Sequence, residues 1–310
     1  MTTLLDRLER RAEALGTAPP PKVSARVLRY DGLVLECAGF SASPGTRCLV
    51  ETETGQSVSG EIVGFDRGRN LLLLDEAGAR IGARCRVHSQ PFSHEATVGD
   101  ALLGRVIDAD GTPLDGRPPP ATSTARPLGG SPLNPLTRQP VRAALDVGVR
   151  MINAGLTVGR GQRLGIIAGS GVGKSVLVEM LTRYTDADVI VVGLIGERAR
   201  EVTDFVTRFH GGLAQARTVI VAVPADRSPL QRLRAAQRLH AIAEHFRGEG
   251  KQVLLIMDSL TRVAHARREV GLALGEAPTA KGYPPSALAL IPTLLERAGP
   301  GPAGEGAITA

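Results

Sequence analysis

The chain has 310 residues, 43% hydrophobic and 22% charged, a balance that fits a water-facing folded protein long enough for two domains. No uninterrupted apolar run approaches about 18 residues, which argues against a membrane-spanning helix, and the opening MTTLLDRLERRAEALG lacks the apolar centre of a secretion signal. Cys37, Cys48 and Cys85 lie far apart with no CxxC pair, so they read as reduced cytoplasmic thiols rather than a disulfide frame or a zinc site. A formal net charge of +6 permits an anionic partner without requiring one.

Taken in chain order, Leu4, Leu5, Leu8, Ala12 and Leu15 fall at helical spacing and predict an amphipathic helix within 1–18, closed by Gly16 and the prolines at 19–21. So short a helix is marginal alone. Its own domain, a partner or a membrane surface are the candidates for covering its apolar face. Over 19–95, short β-rich runs such as VLRYDGLVLECAG and NLLLLDEAG alternate with Gly, Asp and Asn turns, which predicts a small closed β-barrel. The Pro- and Gly-rich stretch 96–139 reads as an extended connector.

From 140 to 310 strands and helices alternate. QRLGIIAG, DVIVVGLIG, RTVIVAVP and QVLLIMDS read as buried strands. KSVLVEMLTRY, REVTDFVTRFH and SPLQRLRAAQRLHAIAEHFRG read as helices between them, the last with Ser228 as its cap and Pro229 in its first turn. The expected fold class is α/β, a mostly parallel sheet covered on both faces and preceded by an all-β domain. Such sheets bind ligands at the carboxyl ends of their strands.

That edge is where the chemistry-bearing residues collect. Gly169, Ser170, Gly171, Val172, Gly173, Lys174, Ser175 and Val176 stand between an apolar strand and a helix. The glycines let successive N–H groups converge on an anion, and the helix adds its positive end. Lys174 would reach the β- and γ-phosphates of a nucleoside triphosphate, and the Ser175 hydroxyl would bind Mg²⁺. Ala168 stands where the strict pattern has its first glycine, a position before the tight curve that tolerates a methyl group. Asp258, ending VLLIMD, is placed to hold the Mg²⁺ hydration shell through water.

GERARE at 196–201 follows another strand to the same edge. Glu197 could polarise an attacking water, Arg198 could touch the phosphates or a neighbouring subunit, and Glu201 could hold the loop. Equally, both glutamates could simply favour the start of the next helix. The six histidines offer no metal spacing, and no serine-hydrolase elbow is present.

GRGQRLGIIAGSGVGKSVLVEML, DVIVVGLIGERAREV, VLLIMDSLTRVAHARREVGLALGEAP and KGYPPSALALIPTLLERAG together resemble the flagellar type III protein export ATPases, relatives of the rotary ATP synthase subunits. The resemblance runs from about Val23 to the last residue, and AG in place of GG before the phosphate loop fits it. It implies a RecA-like P-loop core that hydrolyses Mg-ATP to drive or prime unfolding and export of flagellar proteins. Catalytic roles fall on Glu197, Lys174 and Arg198, and metal roles on Ser175 and Asp258. It also implies a homohexamer in the cytoplasm, peripherally associated with the inner-membrane export gate. The implied partners are an export regulator on the N-terminal helix, stalk and export-gate proteins, and export substrates with their chaperones. The loop GEAPTAKGYPPSA at 275–287 is placed by the resemblance at the ring's centre.

Family members continue past GEGAITA through an arginine finger and a helical domain, so the resemblance predicts ATP binding with poor turnover for this chain. An RNA-dependent hexameric motor of the Rho type shares the layout of small β-domain and RecA-like core. With 3% aromatic residues and no Trp, the barrel is poorly supplied for base stacking, which disfavours nucleic acid as a partner. A rotary ATP synthase subunit is the other alternative.

Overall fold

Alternation of apolar and polar residues builds the first unit. The computed structural model describes residues 23–76, 78–90, 94–169, 171–209 and 214–310 together with Arg11, so the helix expected within 1–18, Ser170 and His210 lie outside the described residues, Arg11 apart. Strands β1 (Ser24–Tyr30), β2 (Val34–Ala38), β3 (Arg47–Glu51), β4 (Ser57–Asp66), β5 (Arg69–Leu74) and β6 (Arg86–Ser89) close into a barrel in the order β1-β2-β5-β4-β3-β6. Ser24 opposite His88 returns the last strand to the first. Closure leaves no open edge to aggregate. Every second residue points inward, so Leu35, Cys37, Cys48, Val50, Ile62, Leu72 and Val87 fill the interior. Burial pushes the Cys37 thiol up to about 11 and Cys48 to about 12, which keeps both protonated and unreactive. The β1–β2 turn is held by Asp31 Oδ1, which accepts from the N–H groups of Leu33 at 3.0 Å and Val34 at 2.8 Å. The closed barrel expected from the spacing of short strands is therefore present.

The second unit takes the rest of the chain, apart from 79–91, which belong to the barrel unit. Its strands are β7 (Glu95–Val98), β8 (Val106–Ile107), β9 (Thr124–Pro127), β10 (Val189–Ile195), β11 (Thr218–Val223), β12 (Gln252–Asp258), β13 (Gly299–Pro300) and β14 (Ala307–Thr309). β7 and β9 pair separately, and the main sheet runs β13-β14-β12-β10-β11-β8. It is parallel except where β13 pairs antiparallel with β14. Its helices are α1 (Arg150–Gly155), α2 (Lys174–Tyr184), α3 (Ala199–Phe209), α4 (Pro229–Gly248), α5 (Leu260–Ala273) and α6 (Pro285–Arg297).

β10 is buried along its whole length and serves two cores by alternation. Val189, Val191 and Ile195 join Leu239, Ile242 and Phe246 of α4, while Ile190, Val192 and Leu194 join Val178 of α2 and Phe205 of α3. Strands apolar on both faces need helices on both faces, which is the α/β layering the sequence predicts. Among the described residues, no helix is long and apolar enough to cross a membrane.

Two stretches differ from their sequence reading. The region 96–139, expected as a connector, supplies strand residues to the second unit: most of β7, and all of β8 and β9. It is fastened by charge. Arg105 donates to Asp115 through Nε at 2.7 Å and Nη2 at 3.0 Å, and α4 reaches back with Arg234 to Asp110 at 2.6 Å and Arg238 to the Ala109 carbonyl at 2.8 Å. Pro and Gly density signalled loops but not these buried anchors. The second difference is QRLGIIAG, expected as a buried strand. It carries no strand assignment, and Ile167 is 99% exposed. Leu164 N donates to the Ala310 carbonyl at 2.8 Å and Ala310 N to the Gln162 carbonyl at 3.1 Å. The neighbouring β14 accompanies the run only that far, so its apolar side chains beyond Leu164 have no strand beside them among the described residues.

Candidate functional site

The site lies at the carboxyl ends of β10 and β12 and at the start of α2. In the loop before α2, Gly171 has φ +78° and Gly173 φ +95°, the left-handed region that L side chains rarely adopt. A Cβ at Gly169, Gly171 or Gly173 would meet nothing within 4 Å, so this backbone borders open space. No side chain caps the N-terminus of α2, which leaves its first N–H groups directed outward. Val172 and Val176 are exposed beside it.

α2 opens with Lys174, whose ammonium pairs with Asp258 Oδ1 at the end of β12. Asp258 is buried, and the Asp258–Ser259 peptide is cis. β10 lies between β11 and β12 with Leu194 opposite Asp258, so the loop leaving β10 falls beside that carboxylate. There Gly196 turns at φ +75° and donates its N–H to the Val223 carbonyl at 2.7 Å, and the Glu197 carbonyl accepts from Ala225 N at 2.9 Å. These bonds fix the Glu197 backbone.

The side chains converge on one cleft lined by Ser175, Glu179, Leu194, Glu197, Glu201 and Asp258, with Phe205 and Arg208 farther along. Burial raises the Glu197 carboxyl above the ordinary range; the Asp258 charge adds to this and the Lys174 charge opposes it. A half-buried carboxylate with a raised pKa next to a lysine–aspartate pair is an arrangement suited to proton handling. Arg198 is placed differently. Its side chain is 76% exposed, outside the cleft lining, with Nη1 3.8 Å from Glu201 Oε1.

Sequence reading did not single out Glu179 or Arg208. Glu179 accepts an ion pair from Arg183 at 3.0 Å and from Arg208 of α3 at 3.5 Å, joining the two helices that wall the cleft. Its position four residues after Ser175, on the same helical face, was the available signal. Among the described residues, no group of three or more His, Cys, Asp or Glu is set to hold a metal. One hydroxyl and one carboxylate on the same cleft, Ser175 and Asp258, do fit Mg²⁺, a hard ion that keeps most of its waters and takes few protein ligands.

Comparisons with known proteins bear on the family. Residues 148–310 match the model of the ATP synthase alpha/beta family, nucleotide-binding domain. A flagellum-specific ATP synthase of Pseudomonas aeruginosa is 50% identical over 312 residues, covering 100% of this chain and 69% of the relative. That of Salmonella typhimurium is also 50% identical, covering 99% of this chain and 69% of the relative. Among solved structures, the assembled ATPase EscN of the enteropathogenic E. coli type III secretion system superposes with a TM-score of 0.85 at 40% identity, covering 92% of this chain and 68% of that one. EscN in complex with its central stalk EscO gives a TM-score of 0.83. The phosphate-loop geometry, the barrel-plus-sheet architecture and these likenesses together place the chain among the flagellum-specific ATP synthases, ATP-hydrolysing P-loop enzymes of the ATP synthase alpha/beta family.

Proposed function

We propose that the cleft binds Mg-ATP and hydrolyses it in the service of flagellar protein export. The observation that carries this is the meeting of Ser175 from α2, Glu197 from the loop after β10 and Asp258 from β12 on one cleft, with Lys174 pairing Asp258. Gly169, Ser170, Gly171, Val172 and Gly173 provide main-chain donors to the phosphates, and Val176 continues the first turn of α2. Lys174 exchanges Asp258 for the β- and γ-phosphates. Ser175 and Asp258 would hold the magnesium ion, Asp258 through water, and the ion would neutralise charge developing on the phosphates. Glu197 orients the attacking water and accepts its proton, which its raised pKa favours. Arg198, exposed at the rim, faces outward to a phosphate or a neighbouring subunit.

Assembly and partners follow from the relatives. EscN is assembled and binds a central stalk, and we extend both to this chain as a homohexamer with a stalk protein. Binding of an export regulator, export-gate proteins, substrates and chaperones, in the cytoplasm at the face of the export gate, belongs to the same proposal. The test is Mg²⁺-dependent ATP hydrolysis against protein concentration, together with ATP-induced thermal stabilisation. Loss of stabilisation in Lys174→Ala and loss of turnover but not binding in Glu197→Ala are the expected results. Unchanged turnover in Glu197→Ala would remove that residue from the mechanism.

A further inference from the structure

An apolar groove opens on the barrel at the end where the chain enters β1. Phe40, Pro44 and Phe65 line it with small residues between them, and it encloses about 700 Å³, room for several leucine side chains. Phe65, near the end of β4, is 69% exposed. The backbone beneath is held in place: Asn70, itself buried, donates through Nδ2 to the Phe40 carbonyl at 2.8 Å. Gly39, also in the lining, packs on the start of β1, where a Cβ would come within 2.8 Å of the Ser24 carbonyl oxygen and the Ala25 Cα. An aromatic patch left facing water marks a contact surface.

We propose that this groove holds the chain's own N-terminal segment, with Leu4, Leu8 and Leu15 seated against Phe40 and Phe65. Three observations select that occupant. The segment, which lies outside the described residues, runs up to Val23 immediately before β1, so it meets the barrel beside the groove. Eight chain steps separate Leu15 from Val23, at most about 29 Å of extended chain. Its residues are sorted by side: on a helix Leu4, Leu5, Leu8, Ala12 and Leu15 share one face, and Asp6, Arg10 and Glu13 fall on the opposite one. A helix this short needs its apolar face covered to persist. The tether presents that face to the groove at an effective concentration of about millimolar. The barrel's other exposed apolar side chains, Leu28 and Leu33, lie toward the far end of β1 from Val23. A partner that takes the same apolar face must first lift it from the barrel. This proposal stands apart from the reading of the nucleotide cleft.

The chain has no tryptophan, so Leu8→Trp and Leu15→Trp each give it a single indole on the apolar face, and Arg10→Trp gives one on the opposite face. Leu8→Trp and Leu15→Trp are expected to emit blue-shifted fluorescence and to be quenched by acrylamide about threefold less than Arg10→Trp, at every protein concentration. Adding Phe65→Ser, a change at an exposed position, should raise the quenching to the Arg10→Trp level while a melting curve shows the barrel still folded. Pro44→Ser, elsewhere in the lining, gives the same reading should Phe65→Ser lower the melting temperature. Water-like emission from both apolar-face reporters would overturn the proposal. Blue-shifted emission that neither groove variant alters would overturn it too, and would put the cover on another surface. Protection that disappears on dilution would give the groove to a second copy of the chain instead.

Discussion

Lys174 and Asp258 stand 84 positions apart in the chain and pair in the fold, the first residue of α2 donating to the last residue of β12. The lysine that should grip phosphate and the aspartate that should hold magnesium therefore share one point at the sheet edge. Lys174→Ala removes a charge-assisted donor worth roughly 1.5–3 kcal/mol, so ATP affinity should fall by at least about tenfold. Titration with a fluorescent ATP analogue checks this, and unchanged affinity would separate Lys174 from the nucleotide.

Arg105 and Asp115 form a buried, two-pronged ion pair, with side chains 9% and 6% exposed. Asp115→Ala should destabilise the second unit by about 3–5 kcal/mol, because it strands the buried guanidinium. Urea unfolding monitored by circular dichroism measures it. The sign with pH follows from the Asp115 carboxyl, which Arg105 holds far below the usual carboxylate range. Its contribution is complete above the unfolded-state value of about 3.9 and declines only as pH falls from there toward the depressed folded value.

His240 behaves oppositely. Burial, and then the Arg297 charge, lower it to about 4, and its Nδ1 lies 2.8 Å from the Ala236 carbonyl. The folded state thus resists a proton that the unfolded chain accepts. Stability should decline as pH drops from about 6.5 toward 4, by up to about 3 kcal/mol in all. His240→Gln should flatten this part of the stability–pH curve, and an identical slope in the variant would assign it to other groups.

Gly193 sits in the middle of β10, where an added Cβ would come within 2.8 Å of Leu239 Cδ2 on α4. Gly193→Ala must push the helix or turn the leucine, at a cost of about 1–3 kcal/mol. A melting curve checks it. Unchanged stability would show that α4 can shift without loss of packing.

The local elements were legible in the sequence because their causes are local. Period-two alternation marks the barrel strands, as in β1 and β3, where buried residues occupy every second position. Ser228 accepts from Gln231 N at 3.2 Å with Pro229 behind it, as the cap signal requires. The phosphate loop was readable because left-handed turns before a helix demand glycine at Gly171 and Gly173. Asp258 and Glu197 were legible as strand-end acids, but their meeting was not. It depends on β10 lying between β11 and β12, an order that no run of residues states.

Tertiary structure alone decided the rest. Whether an apolar run becomes a strand depends on its neighbour: VIVVGLI is flanked on both sides and fully buried, whereas RLGIIA is accompanied only to Leu164 and stays outside the ladder. Whether a Pro- and Gly-rich stretch links or packs depends on charges far away in the chain, since Arg234 and Arg238 of α4 reach Asp110 and Ala109. Backbone preference and side-chain period act over a few residues and can be read along the chain. Strand order, and the burial of charge that follows from it, are set by which surfaces exclude water together, and that is settled only when the whole chain has folded.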